Sequence, residues 1–396
     1  MTKSLSPKPS VKFLKLEAKS ILKAHRKKEA SCCEVFRRLH QFKDQNDQVI
    51  LDAEISLQEV QFALAMEYGF KNWKELKNQV EVSERKVVRY ENQSMPPLNT
   101  TLMSVIKGTA EYFDNPISVP MLYGLSGHAF VINISKNICP SSPYAWDHST
   151  FFHLVENLGI KTDYLGFFTD EGSLEERSKA EKDLKQAIDS QTPCSFCNME
   201  HQLIYSYDDE GFLLLKPWPG CEISEDITPG RITFSSWKEF KEVHACFFVH
   251  KQTQPVNETK AIIESLSYAV DLFTKQQKSE NDNYALGSEA YTNWINGAEE
   301  FGSEHGNWWN SMVWSECRKM ASEFFKEIGE KYSEHSALCS KLENVYADIS
   351  QKLYAVGNKE FDSKQKISLL EEAQQKETAA IELVRKLHGS LVQVIK

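Results

Sequence analysis

At 396 residues, 41% hydrophobic and 26% charged, the chain has the composition of a folded globular protein long enough for two or three domains. The net charge of -10 argues against nucleic-acid binding by the chain as a whole. Nine cysteines without framework spacing, no apolar leader and no apolar run of membrane-spanning length imply a reduced, cytoplasmic protein with no membrane partner.

Charge is uneven: residues 1–43 hold twelve Lys/Arg against Glu17, Glu29 and Glu34, near +9, leaving the remainder near -19. Residues 10–82 read as a small helical bundle. Phe13, Leu14, Leu16, Ile21 and Leu22 predict one amphipathic helix, and Val35, Phe36, Leu39 and Phe42 a second. Ser56 followed by Glu59 is a capping box opening a helix to Met66. Gly69 ends that helix, and Asn72 caps a short one over Trp73–Val80. Residues 83–97, closing on Ser94-Met95-Pro96-Pro97, read as a linker.

Residues 98–253 mix helix and strand signals. A helix is expected over Thr101–Phe113, and strand-like pattern over Leu122–Ile134 around Gly124-Leu125-Ser126-Gly127. Asp147 or Ser149 caps a helix ending at Gly159, Thr162–Phe168 reads as a strand, and Leu174–Ser190 as a charged helix. Cys194–Met199 and Cys246–His250 read as strands, with a short helix at Trp237–Phe240. Between them lies a hairpin, its strands alternating from Gln202 to Tyr207, turning at Asp208-Asp209-Glu210-Gly211 and returning from Phe212 to Trp218. One helix followed by antiparallel strands is an α+β pattern. Residues 257–396 read as a helical bundle, with stripes such as Ile262, Leu266, Val270 and Phe273 and no proline after Pro255.

Two stretches carry resemblances. Lys23-Ala24-His25-Arg26, with Glu67-Tyr68-Gly69-Phe70 and Trp73, resembles a helical module found in front of bacterial ankyrin-repeat proteins, although no ankyrin repeat follows. The central part, through NTTLMSVIKGTAEYF, LYGLSGHAFVINI, CPSSPYAWDHSTFFHLVENLGI and PCSFCNMEHQLIYSYDDEGFLLLKPWPG, resembles the papain-like C39 peptidases and, more closely, the acyltransferase H family of butirosin biosynthesis. The resemblance implies a papain-like core at 98–253 whose base is His201 and whose nucleophile position, at the start of the first helix, falls on Thr101.

Papain-like chemistry needs a thiolate at a helix N-terminus, an imidazole to take its proton, and an Asp or Asn to orient the ring. Here no cysteine stands at the helix start, and Lys216-Pro217 replaces the Asp-Pro that follows the hairpin in C39 relatives. Thr101 reads first as an ordinary N-cap and a poor nucleophile, and His201 equally as a strand-end histidine bonded to backbone. Ser126, Gly127 and His128 suggest a turn where backbone amides approach a ligand, or a tight turn between core elements. Tyr144, Trp146 and Asp147, with His148, suit a cleft lining, or core and capping roles. Cys139 in its proline-flanked loop is a remote thiol candidate. Cys194, Cys197, His201 and Cys221 lack the paired spacing of a zinc site, so no metal or other cofactor is expected.

The sequence therefore predicts a cytoplasmic protein with a degenerate papain-like core. It would bind a peptidyl, acyl or small amine ligand near His201 and His128. The alternatives are an acyltransferase or amide or thioester hydrolase using His201 as base, and an adaptor engaging a protein partner through its N- or C-terminal helices. The basic N-terminal helices, with Lys27-Lys28 and Arg37-Arg38, read as a solvated face before a surface for an acidic partner or RNA.

Overall fold

The computed structural model describes residues 3, 5, 10–84, 88, 90, 95–218, 227–240, 242–275 and 283–395, in two compact units, Met1–Lys86 and Val87–Lys396. The first unit holds α1 (Val11–Arg26), α2 (Cys33–Phe36), α3 (Asp47–Asp52), α4 (Leu57–Glu67) and α5 (Trp73–Glu84). Its core is built from Leu14, Ala18, Leu22, Phe36, Ile50, Val60, Leu64 and Leu76. Phe13 and Leu16, each 57% exposed, lie off the buried face of α1, which Leu14, Ala18, Leu22 and His25 define. The expected second helix is broken into the single turn of α2 and a 3-10 turn at His40–Phe42, with Leu39 extended between them. An apolar spacing of three suits 3-10 turns as well as α-helix, and Phe36, Leu39 and Phe42 are buried either way.

The punctuation of this unit follows its sequence. The Ser56 hydroxyl accepts from the Glu59 amide while the Glu59 carboxylate accepts from the Ser56 amide, closing a capping box. Gly69 at φ +85° stops α4 in the left-handed region, and Asn72 Oδ1 accepts from the Glu75 amide at 2.9 Å.

The second unit is α+β. It comprises α6 (Thr101–Tyr112), α7 (Val119–Leu125), β1 (Asn133–Ser135), α8 (Ser149–Glu156), β2 (Ile160–Thr169), α9 (Leu174–Asp189), β3 (Cys194–Cys197), β4 (His201–Tyr207) and β5 (Gly211–Leu214). There follow β6 (Arg231–Thr233), β7 (His244–Gln252), α10 (Glu258–Thr274), β8 (Tyr284–Leu286), α11 (Ser288–Phe301), α12 (His305–Lys331), α13 (Ser336–Val356) and α14 (Ser363–Ile395). Six strands form one antiparallel sheet in the order β2-β7-β3-β4-β5-β6, and β1 pairs with β8. Asp208 fixes the β4–β5 turn: Oδ1 accepts from the Glu210 and Gly211 amides, and both carboxylate oxygens accept from Arg231 at 2.5 and 2.7 Å.

Two expected elements differ. Leu122–Leu125 is helical, the end of α7, because Ser118 caps that helix and Pro120 starts it; of the expected strand only Asn133 and Ile134 pair in a sheet, within β1. Between them Gly127 takes φ +75°, and a Cβ there would lie 2.5 Å from the Tyr268 ring, so both backbone and packing require glycine. Trp237–Phe240 is a turn rather than a helix, with Trp237 at φ +43°. Its buried indole donates to Glu181 on α9 at 3.0 Å, which holds the side chain in the core.

Two cores organise this unit. Phe196, Leu203, Ile204, Phe212, Trp237 and Phe247 fill the one around the sheet. The other joins α6 and α7 to α10–α14 through residues such as Met103, Tyr123, Phe130, Trp314 and Phe324. Inside it, the fully buried Arg318 and Glu377 pair at 2.8 Å, and Arg318 also donates to the Ala129 and Val131 carbonyls at 3.2 and 2.6 Å. Among the described residues no helix is long and apolar enough to cross a membrane.

Candidate functional site

Packing of α6 against β4 sets the amino end of the helix beside the opening of the strand. Thr101, the first residue of α6, is fully buried there. Its hydroxyl donates to Glu200 Oε2 at 2.6 Å and accepts from the His201 backbone N–H at 2.9 Å. The Tyr144 hydroxyl lies 2.8 Å from both Glu200 oxygens. A line of donors thus converges on one carboxylate.

Glu200 is 6% exposed, and burial pushes its carboxyl up to about 7, against the lowering effect of the bonds from Thr101 and Tyr144. Among the described residues no lysine or arginine contributes to this shift, and the amino end of α6 lies beside the carboxylate through Thr101. That end is capped by a second carboxylate. Glu316 of α12 accepts from the Asn99 and Thr100 amides at 3.1 and 3.4 Å and from the Tyr123 hydroxyl at 2.7 Å. Thr100 occupies the cap position without a side-chain capping bond, so Thr101 is not the N-cap and its hydroxyl serves Glu200 instead.

The His201 side chain stands apart from this line. Its ring packs between Tyr144 and Phe248, at centroid distances of 6.4 and 6.0 Å, and Nδ1 is buried with no partner among the described residues. Burial lowers its pKa to about 3, helped by His148, His250 and His128, so the ring is neutral. His250 is held by Thr162 at 3.0 Å and Ser195 at 2.8 Å, and His148 stacks on Trp146 at 3.9 Å. His201 therefore meets the amino end of α6 through its backbone N–H and not through its ring, within packing that leaves the residue 5% exposed.

The other expected residues gather elsewhere. Ser126 donates to the Tyr123 carbonyl, and Gly127 is filled against Tyr268. His128 is fully buried among Tyr123, Trp146, Phe151 and Trp314, with Nδ1 3.4 Å from the Cys317 thiol. Burial lowers the His128 pKa to about 3 and raises the Cys317 thiol, so this pair is neutral on both sides. Trp146 donates to the Pro143 carbonyl, and the exposed Asp147 caps α8 through the Ser149 amide. Only Thr101, Tyr144 and His201 of the expected set come together.

Cys139 lies 2.9 Å from the Ser141 hydroxyl, which meets Tyr284, on the β1–β8 side of the fold. Cys194 is fully buried in the sheet core and Cys197 is half-buried; Cys221 lies outside the described residues. Among the described residues no group of three or more His, Cys, Asp and Glu is placed to hold a metal ion. Glu200 is the residue of this buried cluster that sequence reasoning passed over, visible beforehand only as the neighbour of His201.

Chemically, the arrangement joins a buried hydroxyl to a carboxyl that exchanges its proton near neutrality, in the range where general acid–base groups work. No family model matches the chain, and no curated protein matches it.

Proposed function

We propose that residues 98–253 form a papain-like core, akin to the C39 peptidases and the butirosin acyltransferase family, that no longer performs thiol chemistry. It binds a peptidyl, acyl or small amine ligand beside Glu200, Tyr144 and His201. One observation carries this reading. Where a thiolate would face an imidazole, the Thr101 hydroxyl is locked between the Glu200 carboxylate and the His201 amide, at 2.6 and 2.9 Å, and among the described residues the buried His201 Nδ1 has no partner. Aromatic side chains with a few fixed polar groups are the lining that small-molecule sites use.

The test is His201→Ala and Glu200→Gln in the full chain, each assayed by equilibrium unfolding and by calorimetry with acyl, peptide and amine probes. Binding lost at unchanged stability supports the reading. Several kcal/mol of lost stability with unaltered binding makes the two residues structural.

The short Thr101–Glu200 contact favours a second reading, slow acyl transfer. Glu200 takes the hydroxyl proton as Thr101 Oγ1 attacks an acyl carbonyl, the leaving thiol or amine departs with that proton, and water or an acceptor amine releases the ester. Intact-mass measurement after incubation with a thioester decides it: an adduct on Thr101, absent in Thr101→Val, is required.

A further inference from the structure

Four residues form one row across the antiparallel sheet. Phe167 of β2 stands opposite Cys246 of β7, Cys246 opposite Cys197 of β3, and Cys197 opposite His201 of β4. Residues directly opposite one another share a face of the sheet, so two thiols lie side by side in the middle of the row. Both cysteines are free and half-buried, in contrast to the fully buried Cys194. Among the described residues no other two cysteines are partners in a ladder. The flank of the row is open. Tyr164 and Phe167 of the edge strand β2 are 57% and 56% exposed, and Met199, two residues after Cys197, is 58% exposed. The Tyr164 hydroxyl lies 4.0 Å from Cys246 Sγ.

Opposed residues of an antiparallel ladder hold their Cα atoms about 4.5 or 5.5 Å apart, and a disulfide accepts Cα separations of about 4.4–6.8 Å. The Cβ atoms must approach slightly more closely than the ladder sets them. Cys197 is the last residue of β3, where a strand yields most easily.

We propose that Cys197 and Cys246 form a reversible dithiol site that closes to a disulfide by exchange with a small disulfide such as oxidised glutathione. The Cys246 thiolate, beside the exposed edge strand, attacks one sulfur of the small disulfide and releases one thiol, leaving a mixed disulfide. Cys197 then loses its proton and attacks the Cys246 sulfur, expelling the second thiol. The two cysteines give up two electrons and two protons, and the small disulfide takes them as two thiols. Burial raises both cysteine thiols, so the exchange is slow at neutral pH and quickens as pH rises. Closure ties the start of β7 to the strand end from which Glu200 and His201 follow.

The experiment uses the full chain, reduced with dithiothreitol, freed of it, and held at pH 8.5 with oxidised glutathione. Remaining thiols are blocked with N-ethylmaleimide, and the protein is digested without reduction for mass spectrometry. A peptide pair joined through Cys197 and Cys246, lighter than the two free peptides by two hydrogens, should be the dominant linkage. Dithiothreitol should return both residues to N-ethylmaleimide labelling. Cys197→Ser, its fold checked by circular dichroism, should retain glutathione on Cys246 because the resolving thiol is gone; if that variant does not fold, the map of the parent protein decides alone. In urea, where the ladder is lost, the same exchange should scatter linkages among the nine cysteines. The proposal is overturned if both residues of the folded parent stay labelled by N-ethylmaleimide after exchange, if both keep glutathione side by side, or if either pairs with another cysteine. The same dominant pair in urea also overturns it, since the ladder would then not be its cause.

Discussion

The Thr101 hydroxyl donates to Glu200 at 2.6 Å while accepting the backbone N–H of the next residue, His201, at 2.9 Å. One oxygen therefore fixes the helix start, the strand start and the orientation of a buried carboxyl. Thr101→Val keeps the shape and removes both bonds. It leaves a buried amide without its acceptor and the carboxylate without one donor, at about 1–3 kcal/mol of stability. Loss of a bond that lowers its pKa should also raise the Glu200 carboxyl further. Thr101→Ser should restore most of both. Urea unfolding and infrared titration of the carboxyl band check the two effects; a stability unchanged in Thr101→Val would show that neither bond matters to folding.

Glu200 also gives a pH signature. Its folded value, about 7, lies above its ordinary value of 4.5 because burial disfavours the charge. A group raised in this way contributes stability that is present below about 4.5 and is lost as pH rises through about 7. Glu200→Gln removes that dependence. The melting temperature of the parent relative to the variant should fall between pH 5 and pH 8, and a constant difference across that range would mean that Glu200 titrates normally in the folded protein.

Much of the fold was legible because its signals are local. The capping box at Ser56 and Glu59, the Asp208–Gly211 turn and the β2 and α9 patterns all appear where expected. Misread stretches are those where a local signal has two meanings. Val35–Phe42 has a spacing shared by α and 3-10 turns, and Leu122–Ile134 is apolar on all sides because it is fully enclosed. The site was half legible. Thr101 and His201 stand out by resemblance, whereas Glu200 becomes significant only when β4 lies against α6 and Tyr144 arrives from a loop far along the chain. Apolar His128 surroundings are likewise a property of α12 and α7 meeting, which no short motif records.

Four imidazoles set the acid limit of the second unit. Burial is the leading cause of the depressed values of His128, His201 and His250, about 3 each, and of His148, about 4, against 6.5 when free. Groups lowered in this way contribute stability present above about 6.5 and lost progressively as pH falls toward their folded values. Each costs about 1.4 kcal/mol per pH unit once the unfolded chain binds its proton. The Glu200 carboxyl opposes this with one proton of the other sign, and Asp163 beside His250 and Asp147 beside His148 favour the imidazolium only weakly. Cooperative unfolding between pH 6 and 4 is the expected result by circular dichroism; His250→Gln should shift the midpoint downward. A midpoint unmoved in that variant would mean that His250 opens to solvent before the fold gives way.

The Arg318–Glu377 pair ties α12 to α14 with both side chains fully buried, and the Tyr291 hydroxyl donates to Glu377 at 2.5 Å. Because Arg318 also donates to the carbonyls of Ala129 and Val131, the pair anchors the chain just after the His128 turn. Glu377→Gln leaves a buried guanidinium with reduced compensation and should cost about 3–5 kcal/mol; Arg318→Met strands the carboxylate and should cost as much. The double variant Arg318→Met/Glu377→Met removes both charges. It should be markedly less destabilised than the sum of the singles, though not neutral, since Tyr291 and two carbonyls lose their partners. Guanidinium unfolding of the four proteins measures the coupling. Additive effects would mean that the two charges do not depend on one another, contrary to their 2.8 Å contact between fully buried side chains.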